Sequence, residues 1–333
     1  MDINNIFEIF LEDKVNLNSA RQKRIQDAEK VLSKFISGSE NFKDIYIKTT
    51  PQGSYRQNTI IKPVDEDAEF DVDLLIELKE NSGWEPKTYL SKLAEIFKDS
   101  DRYKDITDTA GKTRCVTIDY EGDFHVDLVP TIKKDGKSYV FNKNTNKLEE
   151  TDGDGYAQWF AAQNLAAHGY LVNVVKLIKY LRDRKGDFDT KSIIVTTLAG
   201  MVVAGGNYDS ISKSLSSILS GLNSFLDQYQ NPPTINNPAM PGEKFDRHWK
   251  EDEAGFKKLK KSISKYTKLA TEAISLPEDE AVAKWKELFG DEFAPDTEDD
   301  SANKGNGNSG NYSAPEGPIF VNKSPSKPWL SSI

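Results

Sequence analysis

The chain has 333 residues, 37% hydrophobic and 29% charged, enough for two modest domains or one elaborated domain around a normal core. A formal charge of -9 argues against a mainly electrostatic nucleic-acid binder, and the lone cysteine, Cys115, excludes an intrachain disulfide and a cysteine-based zinc site. No apolar run nears the ~20 residues that span a bilayer, and MDINNIFEIF has no basic leader, so a soluble, unprocessed, cytoplasmic protein without membrane partners is expected.

From Asp2 to about Phe35, Ile6, Phe7, Ile9, Phe10, Ile25, Ala28, Val31, Leu32 and Phe35 recur at helical spacing and predict one or two helices. Ile45-Tyr46-Ile47 opens a short strand leading to a Gly53-Ser54 turn, and residues 69–78 form the next strand. Trp84 to Phe97 reads as a helix, with Pro86 near its first turn. RCVTIDY at 114–120 and DFHVDLVPTI at 123–132 read as two strands joined in hairpin fashion at Glu121-Gly122. Together these make a small α+β unit ending near residue 150.

Beyond Thr151 the pattern turns helical, over 156–168, 171–184, 192–203, 211–229 and 256–274. The proline-rich stretch between the last two is long enough to predict a functional loop. Residues 291–318, rich in Asp, Asn, Gly, Ser and Pro, predict disorder. The last run carries Phe320 and Trp329, either as an arm packing on the body or as a linear motif for a regulatory partner protein.

The chemistry centres on PQGSYRQNTIIKPVDEDAEFDVDLLIEL, residues 51–78. Side chains alternate along a strand, so Asp71 and Asp73 share one face. Glu69 shares it too, and spacing alone does not choose between the pairs. Like charges on one face need a counter-charge; magnesium favours carboxylates supplemented by substrate phosphates, and a Gly-Ser turn before a helix offers N–H groups to those phosphates. Asp127 interrupts the apolar stretch Val126, Leu128, Val129, which is costly for a carboxylate without a partner or a metal. If its strand lies beside that of Asp71 and Asp73, three carboxylates converge, able to hold two divalent ions ~4 Å apart. The alternative is a bend cap, or a pair with Lys112 or Arg114. The scattered His125, His168 and His248 read as structural or surface residues.

Taken together, QGSYRQNT, FDVDLLIEL, the later HVDLVP and GYAQWF at 155–160 resemble the bacterial cGAS/DncV-like nucleotidyltransferases, of the DNA polymerase β-like superfamily. The resemblance spans roughly residues 15–290. It implies an α+β fold, a polymerase β-like palm with a mixed sheet (1–150, with an N-terminal helix spanning both lobes), an oligoadenylate synthase-like helical lobe closing the nucleotide cleft (151–290), and a flexible tail (291–333). It implies that Asp71, Asp73 and Asp127 bind two Mg2+ ions, with Mn2+ as a substitute, and that Gly53 and Ser54 grip the donor triphosphate. VVKLIKYLRDR resembles the helix that supplies a phosphate-binding lysine, placing Lys179 there with Lys176 one turn away, and Ser192 looks like the serine touching the same phosphates. As an isolated residue Ser192 is a helix N-cap candidate. Gln52 and Arg56 flank the turn within reach of phosphate or base. The region of Asn237, Pro238, Glu243, Phe245 and Trp249 resembles one beside the cleft, where rings stack on a base or simply fill the core.

The implied activity is template-independent synthesis of a cyclic di- or oligonucleotide messenger from nucleoside triphosphates, activating a downstream effector in antiphage (CBASS) defence. The competing readings are a same-fold enzyme acting on RNA or protein, and an inactive nucleotide-binding scaffold.

Overall fold

The structure is a computed structural model, and it describes residues 2–64, 69–120, 124–245 and 249–294. The Glu121-Gly122 turn, His248 and the tail with Phe320 and Trp329 lie outside those residues.

In chain order the first elements are α1 (Ile3–Phe10), a π-helical turn (Leu11–Val15), α2 (Ser19–Gly38), β1 (Tyr46–Pro51), α3 (Gly53–Arg56), β2 (Phe70–Leu78) and α4 (Pro86–Lys98). Then come β3 (Thr107–Asp108), β4 (Val116–Tyr120), β5 (Phe124–Lys134), β6 (Lys137–Asn142) and β7 (Lys147–Thr151). The rest is helical: α5 (Gly153–Ala166), α6 (Tyr170–Lys185), α7 (Ser192–Met201), α8 (Ile211–Asp227), α9 (Glu253–Ser275) and α10 (Glu278–Phe289), with a small hairpin of β8 (Asn236–Asn237) and β9 (Met240–Lys244) before α9. The fold is therefore α+β, with a mixed sheet and a helical C-terminal lobe.

The sheet runs β1-β2-β5-β4-β3, with β6 on the far half of β5 and β7 beyond it. Among the described residues only β2 and β5 pair in parallel, and α4 lies in the connection between them. β5 changes partners along its length, from β4 up to Leu128 to β6 from Thr131. Pro130 falls in that gap, where its missing N–H costs least. Alternation gives the sheet two unlike faces. Val72, Leu74, Ile76 and Leu78 of β2, with Phe124, Val126, Leu128 and Ile132 of β5, enter one core with Ile25, Leu32 and Ile36 of α2 and Leu90, Leu93 and Phe97 of α4. The other face carries the carboxylates, then a small apolar patch of Leu75, Cys115, Val129 and Val140.

A second core belongs to the helical lobe, and the first helix joins it. Phe7 meets Trp285, Phe289 and Phe293 edge-on, with centroids 5.0, 5.8 and 4.8 Å away. The N-terminal segment thus reaches both cores in two pieces: α1 and the π turn pack in the helical lobe, and α2 packs under the sheet. The break at Asn16 to Asn18 is fixed by the Asn18 side chain, which accepts from Arg21 N at 2.8 Å and caps α2.

Several sequence expectations need correction. β6, β7 and α10 form where the sequence pattern predicts no element. The proline-rich connection is pinned as well as long: Glu243 of β9 accepts from Thr151 Oγ1 at 2.5 Å and Asn237 Nδ2 at 2.6 Å, and Asn237 also donates to Asp152 O at 2.7 Å. Phe245 and Trp249 are buried; Trp249 donates to Pro233 O at 2.9 Å and meets Phe256 edge-on, and Phe245 meets Tyr156, so both rings fill core. The segment from residue 291 begins in order, because a 3-10 turn at Asp291–Phe293 buries Phe293 in the helical lobe. No helix among the described residues is long and apolar enough to cross a membrane.

Candidate active site

Parallel pairing of β2 and β5 sets Asp73 opposite Asp127, with Asp71 two residues along the same face opposite His125. Asp73 and Asp127 are buried and Asp71 opens to solvent at the mouth. Crowding by protein, with the Asp127 charge beside it, raises the Asp71 pKa above its ordinary value, against the pull of His125 and Lys112. This is the mutual repulsion that a shared face of carboxylates requires.

Asp127 is only partly satisfied by protein. Thr117 Oγ1 donates to its Oδ1 in a short bond, and Lys112 Nζ lies 3.6 Å from the same oxygen. Burial disfavours the Lys112 ammonium, but Asp127 and further acidic groups outweigh it and hold its pKa above the usual value. The other oxygen, Asp127 Oδ2, is buried with no hydrogen-bond partner. Of the two partners weighed from sequence, Lys112 is near, whereas Arg114 pairs with Glu149 at 2.6 Å. An orphaned carboxylate oxygen beside Asp73 and Asp71 has the donor chemistry of a hard divalent cation, so these residues fit the magnesium expected of them.

The Gly53-Ser54 turn is built onto the same strand. Gln52 N donates to Asp73 O at 2.9 Å as β1 hands over to α3. Gly53 has φ +53, and a β-carbon there would stand 2.3 Å from Asp73 Oδ2, so only glycine permits this approach. Gln52 is buried, and neither its Oε1 nor its Nε2 has a hydrogen-bond partner. Arg56 is half-buried at the end of α3; burial lowers its pKa and Asp154 opposes that shift.

The lysines are placed unlike a solvated basic face. Lys179 is buried and donates to Thr59 O at 2.9 Å and Thr59 Oγ1 at 3.3 Å, while Thr59 N donates to Ser54 O at 2.8 Å. The helical lobe thereby grips the turn that carries Gly53 and Ser54. Burial, reinforced by the Arg182 charge, lowers the Lys179 pKa to about 7. Lys176, lowered by burial to about 8, donates to Asn16 Oδ1 at 2.8 Å in the break between α1 and α2. Ser192 accepts from Arg182 at 3.1 Å and is the first residue of α7, one position past the cap site occupied by Lys191.

Sequence reasoning missed Thr59, Thr117 and Asn16, ordinary loop or strand polarity until their partners arrive from 120, 10 and 160 residues away. It also set His125 aside. That ring contacts Glu69 through Nε2 and faces Asp119 across 3.4 Å through Nδ1. Among the described residues Glu69, Asp119 and His125 are the group whose ligand atoms all lie within 4.8 Å of one another. His168, also set aside, takes φ +51 in the turn before α6, with Nδ1 3.0 Å from Tyr208 O.

The chain is similar to known proteins over most of its length. Residues 1–164 match the Second Messenger Oligonucleotide or Dinucleotide Synthetase domain. A c-di-GMP synthase of Roseivirga ehrenbergii is 28% identical over 272 residues, 72% of this chain and 71% of its own. A cyclic AMP-AMP-AMP synthase of an Acinetobacter species is 24% identical over 301 residues, 87% of this chain and 83% of its own. The fold matches Vibrio cholerae DncV cyclic AMP-GMP synthase, solved with a linear intermediate, at a TM-score of 0.69 and 12% identity, covering 88% of this chain and 98% of that one. Residues 1–164 are thus a second-messenger synthetase domain of the kind found in the bacterial cGAS/DncV-like nucleotidyltransferases. The protein is an enzyme that joins nucleoside triphosphates into a cyclic oligonucleotide.

Proposed function

We propose that Asp71, Asp73 and Asp127 bind two magnesium ions, with manganese as a substitute, and that Gly53 and Ser54 receive the donor triphosphate above them. The observation that carries this reading is the register of Asp73 against Asp127 on adjoining strands, with Asp71 on the same face and Asp127 Oδ2 lacking a partner. Bound cations at such a site acidify an attacking hydroxyl and neutralise phosphate charge. Asp127, buried beside Thr117, would take the hydroxyl proton as the ribose oxygen attacks the α-phosphorus and pyrophosphate leaves. The linear product, bound again, closes its ring by the same chemistry.

Lys179 would exchange its Thr59 bonds for phosphate oxygens, stabilising charge on the leaving pyrophosphate. Lys176 and Ser192 support that helix, and Gln52 and Arg56 line the turn. The three relatives named above are all synthases of purine products, which favours a purine messenger here. Its context would be CBASS defence, with a downstream effector responding to the product and a regulatory protein engaging residues 291–333.

The test is incubation with all four nucleoside triphosphates and Mg2+ or Mn2+, phosphatase treatment, and mass identification of what survives. A resistant cyclic species made by the wild type and absent with Asp73→Ala supports the reading. Label transferred to RNA or protein points to the other acceptor class, and nucleotide binding without product points to a scaffold.

A further inference from the structure

Beside the aspartates, the same sheet face carries a second set of ligand atoms. β2, β5 and β4 place Asp71, His125 and Asp119 in one row of the register, a step along from the row of Asp73, Asp127 and Thr117. Glu69, just before β2, meets the imidazole from its other side.

The bonding of His125 is one-sided. Its Nε2 is in short contact with Glu69 Oε2, which places the ring proton toward that carboxylate. Nδ1 then presents its lone pair to Asp119 Oδ1, 3.4 Å away. Both of these atoms are buried and neither has a hydrogen-bond partner. Two acceptors facing each other out of water are unfavourable unless something positive lies between them. A proton fits the gap poorly, because N–H···O bonds run at about 2.7–3.2 Å. A metal fits it well: ligands bonded at about 2.1 Å to a tetrahedral ion are themselves about 3.4 Å apart. A carboxylate on the second ring nitrogen is the usual orienting partner of a metal-bound histidine.

We infer that His125 Nδ1 and Asp119 Oδ1, with Glu69 orienting the ring, form a separate site for a divalent ion that accepts imidazole. Zn2+ is of that class, whereas magnesium and manganese favour oxygen. The remaining positions fall to water, since His125 and Asp119 are 32% and 39% exposed and an ion can enter. Such an ion would set positive charge beside Asp71, the register partner of His125. The inference stands apart from the catalytic reading of the aspartates.

The test uses the full chain carrying Asp71→Asn and Asp73→Asn, stripped with chelator, so that the aspartate trio is silenced. Zn2+ is titrated by calorimetry, and Co2+ is followed by its visible absorption. The expected result is one equivalent of ion and a cobalt spectrum of low-coordinate nitrogen and oxygen ligation. In the same background His125→Gln should weaken binding more than about tenfold, and Glu69→Gln about tenfold. Circular dichroism checks each fold, and Asp119→Asn replaces His125→Gln if that variant fails to fold. Absence of binding, or binding that none of these substitutions changes, overturns the inference; His125 is then a charged ring between two carboxylates, or the ion is adventitious.

Discussion

Gly53 lies so close to Asp73 that a β-carbon at position 53 would stand 2.3 Å from Asp73 Oδ2. The turn proposed to hold the triphosphate and the strand proposed to hold the metal are thus one mechanical unit. Gly53→Ala must push the carboxylate aside and adopt φ +53 with a side chain. The expected outcome is a loss of activity of about 10²-fold or more with a stability cost of about 1–2 kcal/mol. Initial rates and denaturant unfolding check both, and near-normal activity would break the link between turn and carboxylate.

Asp71 should cost the metal-free fold stability. Its folded pKa is raised, first by the protein crowded around it and then by Asp127, so its contribution, moderated by water at the open mouth, is complete at pH below the unfolded value of 3.8 and is lost as pH rises through the folded value. At neutral pH Asp71→Asn should therefore raise the melting temperature of metal-free protein by about 1–2 °C. It should also lower activity at least about 10²-fold and blunt the stabilisation by Mg2+. Melting curves with and without Mg2+ read this directly. A variant less stable than wild type in both conditions would show that Asp71 is structural.

Lys179 is depressed to about 7, chiefly by burial, so the fold favours its neutral amine. That contribution is complete above the unfolded value of 10.5, is lost as pH falls toward 7, and changes no further below it. Lys179→Met should accordingly gain stability relative to wild type as pH drops from 9.5 to 6, by up to a few kcal/mol. If phosphates draw the ammonium from Thr59, binding a non-hydrolysable triphosphate at pH 8 should take up a proton. Calorimetry in two buffers of different ionisation heat measures it, and zero uptake would mean that Lys179 stays on Thr59.

Phe293 anchors the segment after α10 in the helical core. Phe293 is buried, 4.8 Å from Phe7 and 5.3 Å from Phe10 between ring centroids. A chain ending at Ala294 should keep the activity and melting temperature of the full chain. One ending at Gly290 should lose about 3–5 kcal/mol, the usual cost of emptying a buried phenylalanine site. Equal stability of the two would show that the aromatic cluster holds without Phe293.

These features were unevenly legible in the sequence. β2 and β5 announce themselves because Val72, Leu74, Ile76 and Val126, Leu128 alternate with residues of the other face, and Asp127 stands out as a carboxylate among them. The sheet's far edge does not: β6 and β7 offer the core mainly Val140, Phe141 and a half-buried Leu148. α10 spaces Ala281, Trp285, Leu288 and Phe289 as a helix should, but surrounds them with charge. Phe245 and Trp249 were ambiguous for a deeper reason, since an aromatic ring reads alike whether it faces a base or Tyr156 and Phe256. The least legible feature was the second partner of each polar group. Thr59 gains meaning only when Lys179 arrives, and His125 only when β4 brings Asp119 alongside.

The most direct test of the central claim is a crystal structure with Mn2+ and a non-hydrolysable triphosphate, with manganese located by anomalous scattering. Peaks ligated by Asp71, Asp73 and Asp127, with the triphosphate on Gly53 and Ser54, are the result the register of β2 and β5 predicts. A triphosphate bound elsewhere, with no manganese touching Asp73 or Asp127, would contradict it.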